Sequence, residues 1–472
     1  MADSHVHSLL GSPAFAVHHR AAAGAALANQ TAEIITQIRK IADRTALILL
    51  MLVAGTLLFR PSDLFPSLAA LPIYECLVAA CLVLSFHRIR DVARLSALRG
   101  NAMTALMLLL VPAVMMSHLA HLNTYDARLD GIAMTKASVF FLLIIAWIDT
   151  SFRLRAMLWS ATCAVLAVAI LALLQYHNLI NLPALASIVQ SAESNGGVKL
   201  VRLCGIGVFN DPNDFSLVLV FGAVVCAHGI SEARNARVRW LLVAPLLLLA
   251  YALFLTHSRG GFLSAFVALL VFWQARFGWR NTIPLALTLL PLLALPMWGP
   301  RARVDLDDPL DTFQTRMELW NHSLDAFRSA PLFGVGAGKM TDLLGQVAHN
   351  SYVHAFVETG LLGGVAFCGA NYLIVRGIWN ASPRDAEIAT LRPCVLAIVV
   401  SYAFGLLALS RCYTVPTQFV FGIGAAYVMM ASASGGTLPR LNWRCAARVT
   451  GIGVLFLAAT HVFVRTMLVA AP

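Results

Sequence analysis

The chain has 472 residues, of which 59% are hydrophobic and only 12% are charged. Soluble domains carry about 25% charged residues, so this composition excludes an ordinary soluble protein. The formal net charge of +11 would suggest nucleic acid in a soluble protein, but no basic patch here is interleaved with aromatic residues. We therefore expect the basic residues to serve a membrane topology, and we exclude nucleic acid as a partner.

Apolar runs of membrane-spanning length recur along the chain. They predict an all-α integral membrane protein with 12–13 transmembrane helices and a large periplasmic loop that contains short helices. The predicted spans, in chain order, are Thr45–Phe59, Leu64–Phe86, Ala102–His121, Ala137–Trp147, Ala156–Tyr176, Phe215–His228, Val238–Thr256, Phe262–Gln274, Asn281–Trp298, Ser351–Val375, Pro393–Leu409, Gln418–Met430 and Thr450–Val464.

Four regions follow from this arrangement. Residues 1–44 form a predicted cytoplasmic tail, because they lack the long apolar run that follows the basic start of a cleavable signal peptide. Residues 45–298 hold the first nine predicted spans, residues 299–350 the large periplasmic loop, and residues 351–472 the C-terminal spans. Within the loop, Thr312–Arg328 has apolar residues at helical spacing, which predicts a helix on the bilayer surface or packed against the bundle.

The basic residues set the predicted orientation. With a cytoplasmic N-terminus, all but 13 of the 34 lysines and arginines lie in alternate, mostly short loops, which is the bias that the positive-inside rule describes. Those 13 lie on or near the opposite, periplasmic side, and topology does not explain them. They are Arg60, Arg128, Lys136, Lys199, Arg202, Arg259, Arg301, Arg303, Arg316, Arg328, Lys339, Arg411 and Arg465.

The first of three motifs on that side ends the loop His177–Asp214. It combines Arg202 and Gly205 with the run Phe209-Asn210-Asp211-Pro212-Asn213-Asp214. We expect Asn213 or Asp214 to cap the helix that follows, because short polar side chains accept the first free N–H groups of a helix. Arg202 at this helix start predicts an anion site; the alternative is a loop arginine in water.

The second motif is Thr256-His257-Ser258-Arg259-Gly260-Gly261, between two spans. Ser258 is the predicted cap of the next helix, and Gly260 and Gly261 let the backbone approach a ligand closely. A helix N-terminus with free N–H groups and a neighbouring Arg259 predicts a phosphate site. The alternative is that Arg259 only extends its head to the membrane surface.

The third motif surrounds a histidine at the start of a span. Gly334, Gly336 and Gly338 are spaced two apart and predict a loop of unusual backbone angles that could bind an anion. His349 then stands at the helix start, where a neutral imidazole could accept a proton, and Asn350 or Ser351 could cap the helix. The alternative is a structural histidine.

An acidic run offers a competing site. Asp305, Asp307 and Asp308 could together hold a divalent metal, but the run lies in a polar, proline-bounded loop. Solvated charge is the better interpretation, and we predict no metal site.

Taken together, the segment from Arg202 to Gly360 resembles the O-antigen ligase and polymerase superfamily of bacterial envelope glycan assembly. The resemblance covers about a third of the chain by motif and the remainder by helix count. The matching residues are Arg202, Gly205, Phe209-Asn210-Asp211-Pro212-Asn213, Ser258-Arg259-Gly260-Gly261, Arg316, Trp320, Pro331-Leu332-Phe333-Gly334-Val335-Gly336-Ala337-Gly338, His349-Asn350-Ser351-Tyr352 and Glu358-Thr359-Gly360.

The resemblance implies a multi-pass inner-membrane glycosyltransferase with its active site facing the periplasm, which inverts the sugar and uses no metal or other cofactor. The donor would be a glycan on undecaprenyl pyrophosphate, and the acceptor a hydroxyl of lipid A–core or of a second glycan. His349 would deprotonate or orient that hydroxyl, and Arg259 and Arg202 would stabilise the departing pyrophosphate. The implied substrate-binding residues are Arg316, Asn350, Tyr352, Glu358, Ser258 and Gly260.

An O-antigen ligase is the favoured interpretation, and several alternatives remain open. A repeat-unit polymerase uses the same donor, and the run Phe209–Asp214 also resembles members from exopolysaccharide loci. A protein O-oligosaccharyltransferase is less favoured, because such members often carry a larger periplasmic C-terminal domain. A non-enzymatic transporter would place polar groups at mid-membrane on broken helices, whereas the motif residues cluster at one face.

Overall fold

Helices dominate the computed structural model, which describes residues 13–68, 70–192, 198–291 and 313–470. The helices of the first half are α1 (Pro13–Phe59), α2 (Pro61–Leu64), α3 (Ile73–Ala93), α4 (Leu95–Gly100), α5 (Ala102–Leu119), α6 (Thr124–Trp147) and α7 (Ser151–Tyr176). Those that follow are α8 (Pro212–Glu232), α9 (Ala236–Leu255), α10 (Arg259–Phe277), α11 (Trp279–Leu289), α12 (Phe313–Ser329), α13 (Met340–Leu344), α14 (Ser351–Trp379), α15 (Ala386–Gly405), α16 (Val415–Ala433) and α17 (Trp443–Ala470).

The prediction of an all-α integral membrane protein is confirmed. Among the described residues, 11 helices are long and apolar enough to cross a membrane, and each overlaps a predicted span. At the predicted span Leu64–Phe86 lies α3, a 21-residue helix with Arg90 in its last turn. Helix α11 covers the predicted span Asn281–Trp298 as far as Leu289, and the end of that predicted span lies outside the described residues.

Burial separates central helices from peripheral ones. Within an apolar 18-residue stretch of each helix, 83% of the residues are buried inside the protein in α16, but only 22% in each of α9, α10 and α17. Gly422 helps α16 reach the centre, because a Cβ there would lie 3.0 Å from the Ile144 side chain of α6. Small residues permit such close helix packing where no hydrophobic effect drives helices together in lipid.

The loop before α8 contains an antiparallel hairpin that the sequence analysis did not predict. Strand β1 (Ile188–Ala192) pairs with β2 (Val198–Arg202), with Ile188 opposite Arg202. Both strands are rich in β-branched and apolar residues, which suit a paired extended chain. The hairpin delivers Arg202 to the start of α8.

Two helices have features that the sequence did not predict. The predicted division at residue 44 falls inside α1, so the tail and the first span share one continuous helix from Pro13. In α14 the chain leaves helical geometry at Gly360, with φ 62° and ψ −159°. A Cβ at Gly360 would lie 2.4 Å from the Leu332 carbonyl group, so the kink lets the preceding loop pack directly on the helix.

The amphipathic stretch of the large loop forms α12, and the loop also contains α13, as the predicted short helices require. Helix α12 packs against α14 and α17, with Met317 and Leu324 buried. Packing on the bundle is therefore confirmed for this helix. Thr312 and the acidic run Asp305–Asp308 lie outside the described residues.

Candidate functional site

The first two motifs meet at the side chain of Asn213. Its Oδ1 accepts a hydrogen bond from Ser258 Oγ at 2.8 Å and another from Arg202 Nη2 at 3.1 Å. Arg202, only 4% exposed, also donates from Nε to the Thr256 carbonyl at 3.0 Å. Residues more than 50 positions apart are thereby joined at the adjacent N-termini of α8 and α10.

The cap of α8 differs from the predicted one. Asp211, and neither Asn213 nor Asp214, precedes the helix, and its side chain accepts from the Asn213 N–H at 2.7 Å. Pro212 explains this, because its fixed φ and missing N–H suit the first helical position. The side chain of Asn213 is therefore left to bridge Arg202 and Ser258.

Asp214 connects this group to the third motif. Its carboxylate accepts two hydrogen bonds from Arg411, at 2.8 Å to Nε and 2.6 Å to Nη2. The hydrogen bond to Asp214 raises the pKa of Arg411, which stays charged. The Arg411 backbone N–H then donates to Ser351 Oγ at 2.9 Å, in the first turn of α14. The sequence analysis listed Arg411 among the basic residues that topology does not explain, but it did not assign it to the site. Its partner Asp214 is nearly 200 residues away in the chain, so no local pattern indicated the contact.

The start of α10 has the predicted cap. Ser258 Oγ accepts from the Gly261 N–H at 3.1 Å. The residue before the cap, His257, adopts a left-handed backbone with φ 48°, and Arg259 is the first helical residue. Gly261 approaches a neighbouring helix, because a Cβ there would lie 2.3 Å from Ser216 Oγ of α8. The backbone at Gly261 was expected to approach a ligand closely, and in the structure it approaches α8 instead.

The start of α14 repeats this arrangement. Asn350 is the cap, and its Oδ1 accepts from the N–H groups of Tyr352 at 3.0 Å and Val353 at 3.3 Å. His349 precedes the cap with φ 48° and is half-buried. Non-glycine residues rarely adopt this backbone region, and when they do it often marks a functional position.

Helix α12 lies beside His349. The Trp320 indole N–H donates to the Ala348 carbonyl at 2.7 Å, immediately before the histidine. Arg316 precedes Trp320 by four residues, so the two side chains share one face of α12. The structure therefore places Arg316 on the helix face that contacts the start of α14.

The glycine-rich loop has the predicted unusual backbone: φ is 79° at Gly334, 111° at Gly336 and 72° at Gly338. Its N–H groups bind an anion supplied by the protein itself. The carboxylate of Glu358, 1% exposed, accepts from the Gly338 N–H at 2.8 Å and the Met340 N–H at 3.2 Å.

Glu358 has a further partner within α14. His354 Nε2 lies 2.9 Å from its carboxylate. Two further contacts hold the loop: Ser117 Oγ of α5 accepts from the Ala337 N–H at 3.1 Å, and His121 Nε2, in the turn after α5, lies 2.9 Å from the Gly334 carbonyl oxygen. The loop is therefore held by Glu358 from one side and by Ser117 and His121 from another, which indicates that Glu358 supports the loop.

Tyr352 points away from the helix start. Its hydroxyl donates to the Ala403 carbonyl at 2.8 Å and accepts from Asn371 Nδ2 at 2.8 Å. The structure therefore divides the predicted site residues by position. The helix starts hold Arg202, Ser258, Arg259, Gly260, His349 and Asn350, with Arg316 beside them on α12. The hydroxyl of Tyr352 and the carboxylate of Glu358 bind away from the helix starts.

These features define a polytopic α-helical membrane protein with a polar site built from adjacent helix N-termini at one end of its bundle. The family model described as O-Antigen ligase matches residues 244–368. This match supports the resemblance to the O-antigen ligase superfamily that the motifs indicate. The match includes every predicted site residue except Arg202. No curated protein matches the chain.

Proposed function

We propose that the protein transfers a glycan from undecaprenyl pyrophosphate to an acceptor hydroxyl on the periplasmic side of the inner membrane, as an O-antigen ligase with lipid A–core as the acceptor. The family match supports the coarser class, a membrane glycosyl-transferring enzyme of the ligase or polymerase type. The donor, the acceptor and the residue roles below are the proposal.

One observation carries the proposal further than the family match does. Motifs separated by about 150 residues in the chain assemble at one end of the bundle through direct contacts. Asn213 joins Arg202 to Ser258, and Asp214 joins the same helix to Ser351 through Arg411. These contacts support a site at this end of the bundle that combines cationic side chains with a histidine, as transfer from a pyrophosphate would need.

The chemistry proposed for His349 is general base catalysis. Its imidazole takes the proton of the acceptor hydroxyl as that oxygen attacks the anomeric carbon. A new glycosidic C–O bond forms with inversion, the bond between the anomeric carbon and the pyrophosphate oxygen breaks, and undecaprenyl pyrophosphate leaves with the electron pair. Proton transfer of this kind contributes about 10²–10⁴-fold to a rate.

The two arginines would stabilise the charge that develops on the leaving group. Arg259 is half-buried at the first position of α10, where the helix N-terminus adds its own positive dipole. Arg202 is almost fully buried and held by the neutral acceptors Asn213 and Thr256, so in this proposal its charge acts from a fixed position. Fixed charges cost no reorganisation during the reaction.

The remaining predicted residues divide into two proposed roles. Arg316 and Gly260 lie at or beside the helix starts and would contact the donor or acceptor, while the buried caps Ser258 and Asn350 would position those helix starts. Tyr352 and Glu358 would shape the site indirectly, because their polar atoms bind other parts of the protein.

The test expresses the protein in two bacterial hosts, one lacking its O-antigen ligase and one lacking its polymerase. Both hosts must make a glycan that the enzyme accepts. Lipopolysaccharide banding is then compared for wild type and His349→Ala. Restored long-chain lipopolysaccharide in the first host, lost in the variant, is the expected result.

Other outcomes would redirect or overturn the proposal. A ladder restored only in the second host would make the protein a polymerase. Glycan on periplasmic protein hydroxyls would make it a protein O-oligosaccharyltransferase. Equal activity of wild type and His349→Ala would remove the proposed base.

A further inference from the structure

A polar pocket of 470 Å³ lies at the opposite end of the bundle from His349. It is bounded by the C-terminal ends of α14 and α16, by the chain segments that follow them, and by the first turns of α17. Helix α14 begins beside His349 and reaches the pocket 29 residues later. At 1.5 Å per residue this is a separation of roughly 40 Å, about the thickness of a bilayer with its headgroups.

The pocket carries positive charge. Arg376 and Arg448 line it, and none of the other described residues in its wall is acidic. Within the described parts of the chain, neither arginine has a carboxylate within ion-pairing distance. Arg376 donates from Nη1 to the Tyr372 hydroxyl at 3.1 Å, which fixes its guanidinium at the pocket. A guanidinium has five N–H donors, so further donors remain for a bound anion.

Neutral hydrogen-bonding groups complete the lining. Asn380, Ser382 and Thr437 contribute side chains that can donate to an oxyanion. Beside them, Gly435 adopts φ 123°, and a Cβ there would lie 3.1 Å from Arg384 Nε. A third arginine therefore lies across this chain segment, next to the pocket.

The surroundings locate the pocket at a membrane surface. Trp279 and Trp379 have ring centroids 6.4 Å apart at this end of the bundle, and Trp443, 76% exposed, begins α17. Tryptophan is enriched at membrane–water interfaces. Leu373, Val428 and Leu438 form an apolar part of the wall. A cationic pocket beside apolar helix surfaces at this depth suits a phosphate that carries acyl chains.

We propose that this pocket binds the phosphate headgroup of an anionic glycerophospholipid, with Arg376 and Arg448 as its charged ligands. The site is separate from the glycan-transfer site and does not depend on the proposed function. The phosphate lies between the two arginines, and the acyl chains follow the apolar surface of the helices into the bilayer. The bound lipid ties α14, α16 and α17 together.

The test uses the full-length protein purified in detergent, in four forms: wild type, Arg376→Gln, Arg448→Gln and Arg444→Gln. Arg444 lies one helical turn before Arg448 on α17, with its guanidinium 5.5 Å from the Trp443 ring, and it does not line the pocket. It is therefore a matched control for the loss of one positive charge. The probes are phosphatidylglycerol, zwitterionic phosphatidylcholine and inorganic phosphate.

Native mass spectrometry measures retained lipid, and thermal unfolding measures stabilisation. Wild type and Arg444→Gln should retain phosphatidylglycerol over phosphatidylcholine, and each pocket variant should retain it about fivefold less, as expected for one arginine near an anionic lipid. Stabilisation by inorganic phosphate alone, lost in the same two variants, would assign the pocket to a free phosphate. Equal retention of phosphatidylglycerol by all four proteins would overturn the proposal.

Discussion

The starts of α10 and α14 have the same backbone arrangement but present different side chains. Each has a histidine with φ 48°, then a buried polar cap, then the first helical residue. At α10 that first residue is Arg259, which adds a cation to the helix N-terminus. At α14 it is Ser351, whose hydroxyl binds the Arg411 backbone, and the histidine is the reactive group that we propose. The same local backbone can therefore present either a cation or a base.

The two helix starts should differ most when each histidine is replaced by asparagine. Asparagine tolerates the left-handed backbone but cannot act as a base. We expect His349→Asn to lower the glycan-transfer rate by about 10²–10⁴-fold, the usual contribution of a general base. His257→Asn should stay close to wild type. Rates of product formation by purified protein measure both, and near-wild-type rates in both variants would mean that the histidines serve only the backbone.

The second prediction concerns the residue after each cap. Arg259→Gln should reduce the transfer rate by about 10²–10³-fold, as removal of one preorganised electrostatic contact does. Arg259→Lys should recover part of the rate, because the charge remains while the two-pronged hydrogen bonding is lost. The matched control is Arg465→Gln, an exposed arginine of α17. A wild-type rate in Arg259→Gln would contradict the proposed role.

The third prediction compares neighbouring glycines of α10. A Cβ at Gly261 would lie 2.4 Å from the Ser216 Cβ, whereas a Cβ at Gly260 would meet only the Ala408 Cβ at 3.3 Å. Gly261→Ala should therefore push α10 from α8 and cost about 1–3 kcal/mol of unfolding free energy. Gly260→Ala should cost clearly less. Reversible unfolding in detergent measures the difference, and equal stability of the two variants would show that α10 can move without cost.

The smallest expected effects are at the caps. Ser258→Ala and Asn350→Ala should each cost about 1 kcal/mol of unfolding free energy, the usual value for a lost N-cap. Ser258 also binds Asn213, which holds Arg202, so Ser258→Ala should lower the transfer rate further. Ser258→Thr keeps the hydroxyl and should restore both quantities. An unchanged rate in Ser258→Ala would separate Arg202 from this network.

Local sequence signals predicted the 11 spans found among the described residues and the cap Ser258, and they offered Asn350 as one of two candidate caps at α14. Ser258 and Asn350 stand directly before apolar runs, where the first free N–H groups of a helix need an acceptor. The cap of α8 was mispredicted, because Pro212 at the first helical position selects Asp211 instead. The left-handed φ of the histidines had no signal, since that backbone region is specified by surrounding contacts.

Long-range pairings could not be predicted from local patterns. The Asp214–Arg411 ion pair joins the first turn of α8 to the loop between α15 and α16, and nothing near either residue indicates the other. Glu358 was predicted to bind substrate, yet its carboxylate lies under the glycine-rich loop and receives two backbone N–H groups. The loop geometry was predicted correctly from its glycines, but not which anion it holds.

Glycan transfer with His349 as the base can be tested directly with the purified protein in proteoliposomes that contain an undecaprenyl pyrophosphate-linked glycan and lipid A–core. Mass spectrometry then follows glycosylated lipid A–core and released undecaprenyl pyrophosphate. We predict that both products form with wild type and His257→Asn, and that neither forms at a comparable rate with His349→Asn. Equal product formation by His349→Asn and wild type would contradict the account.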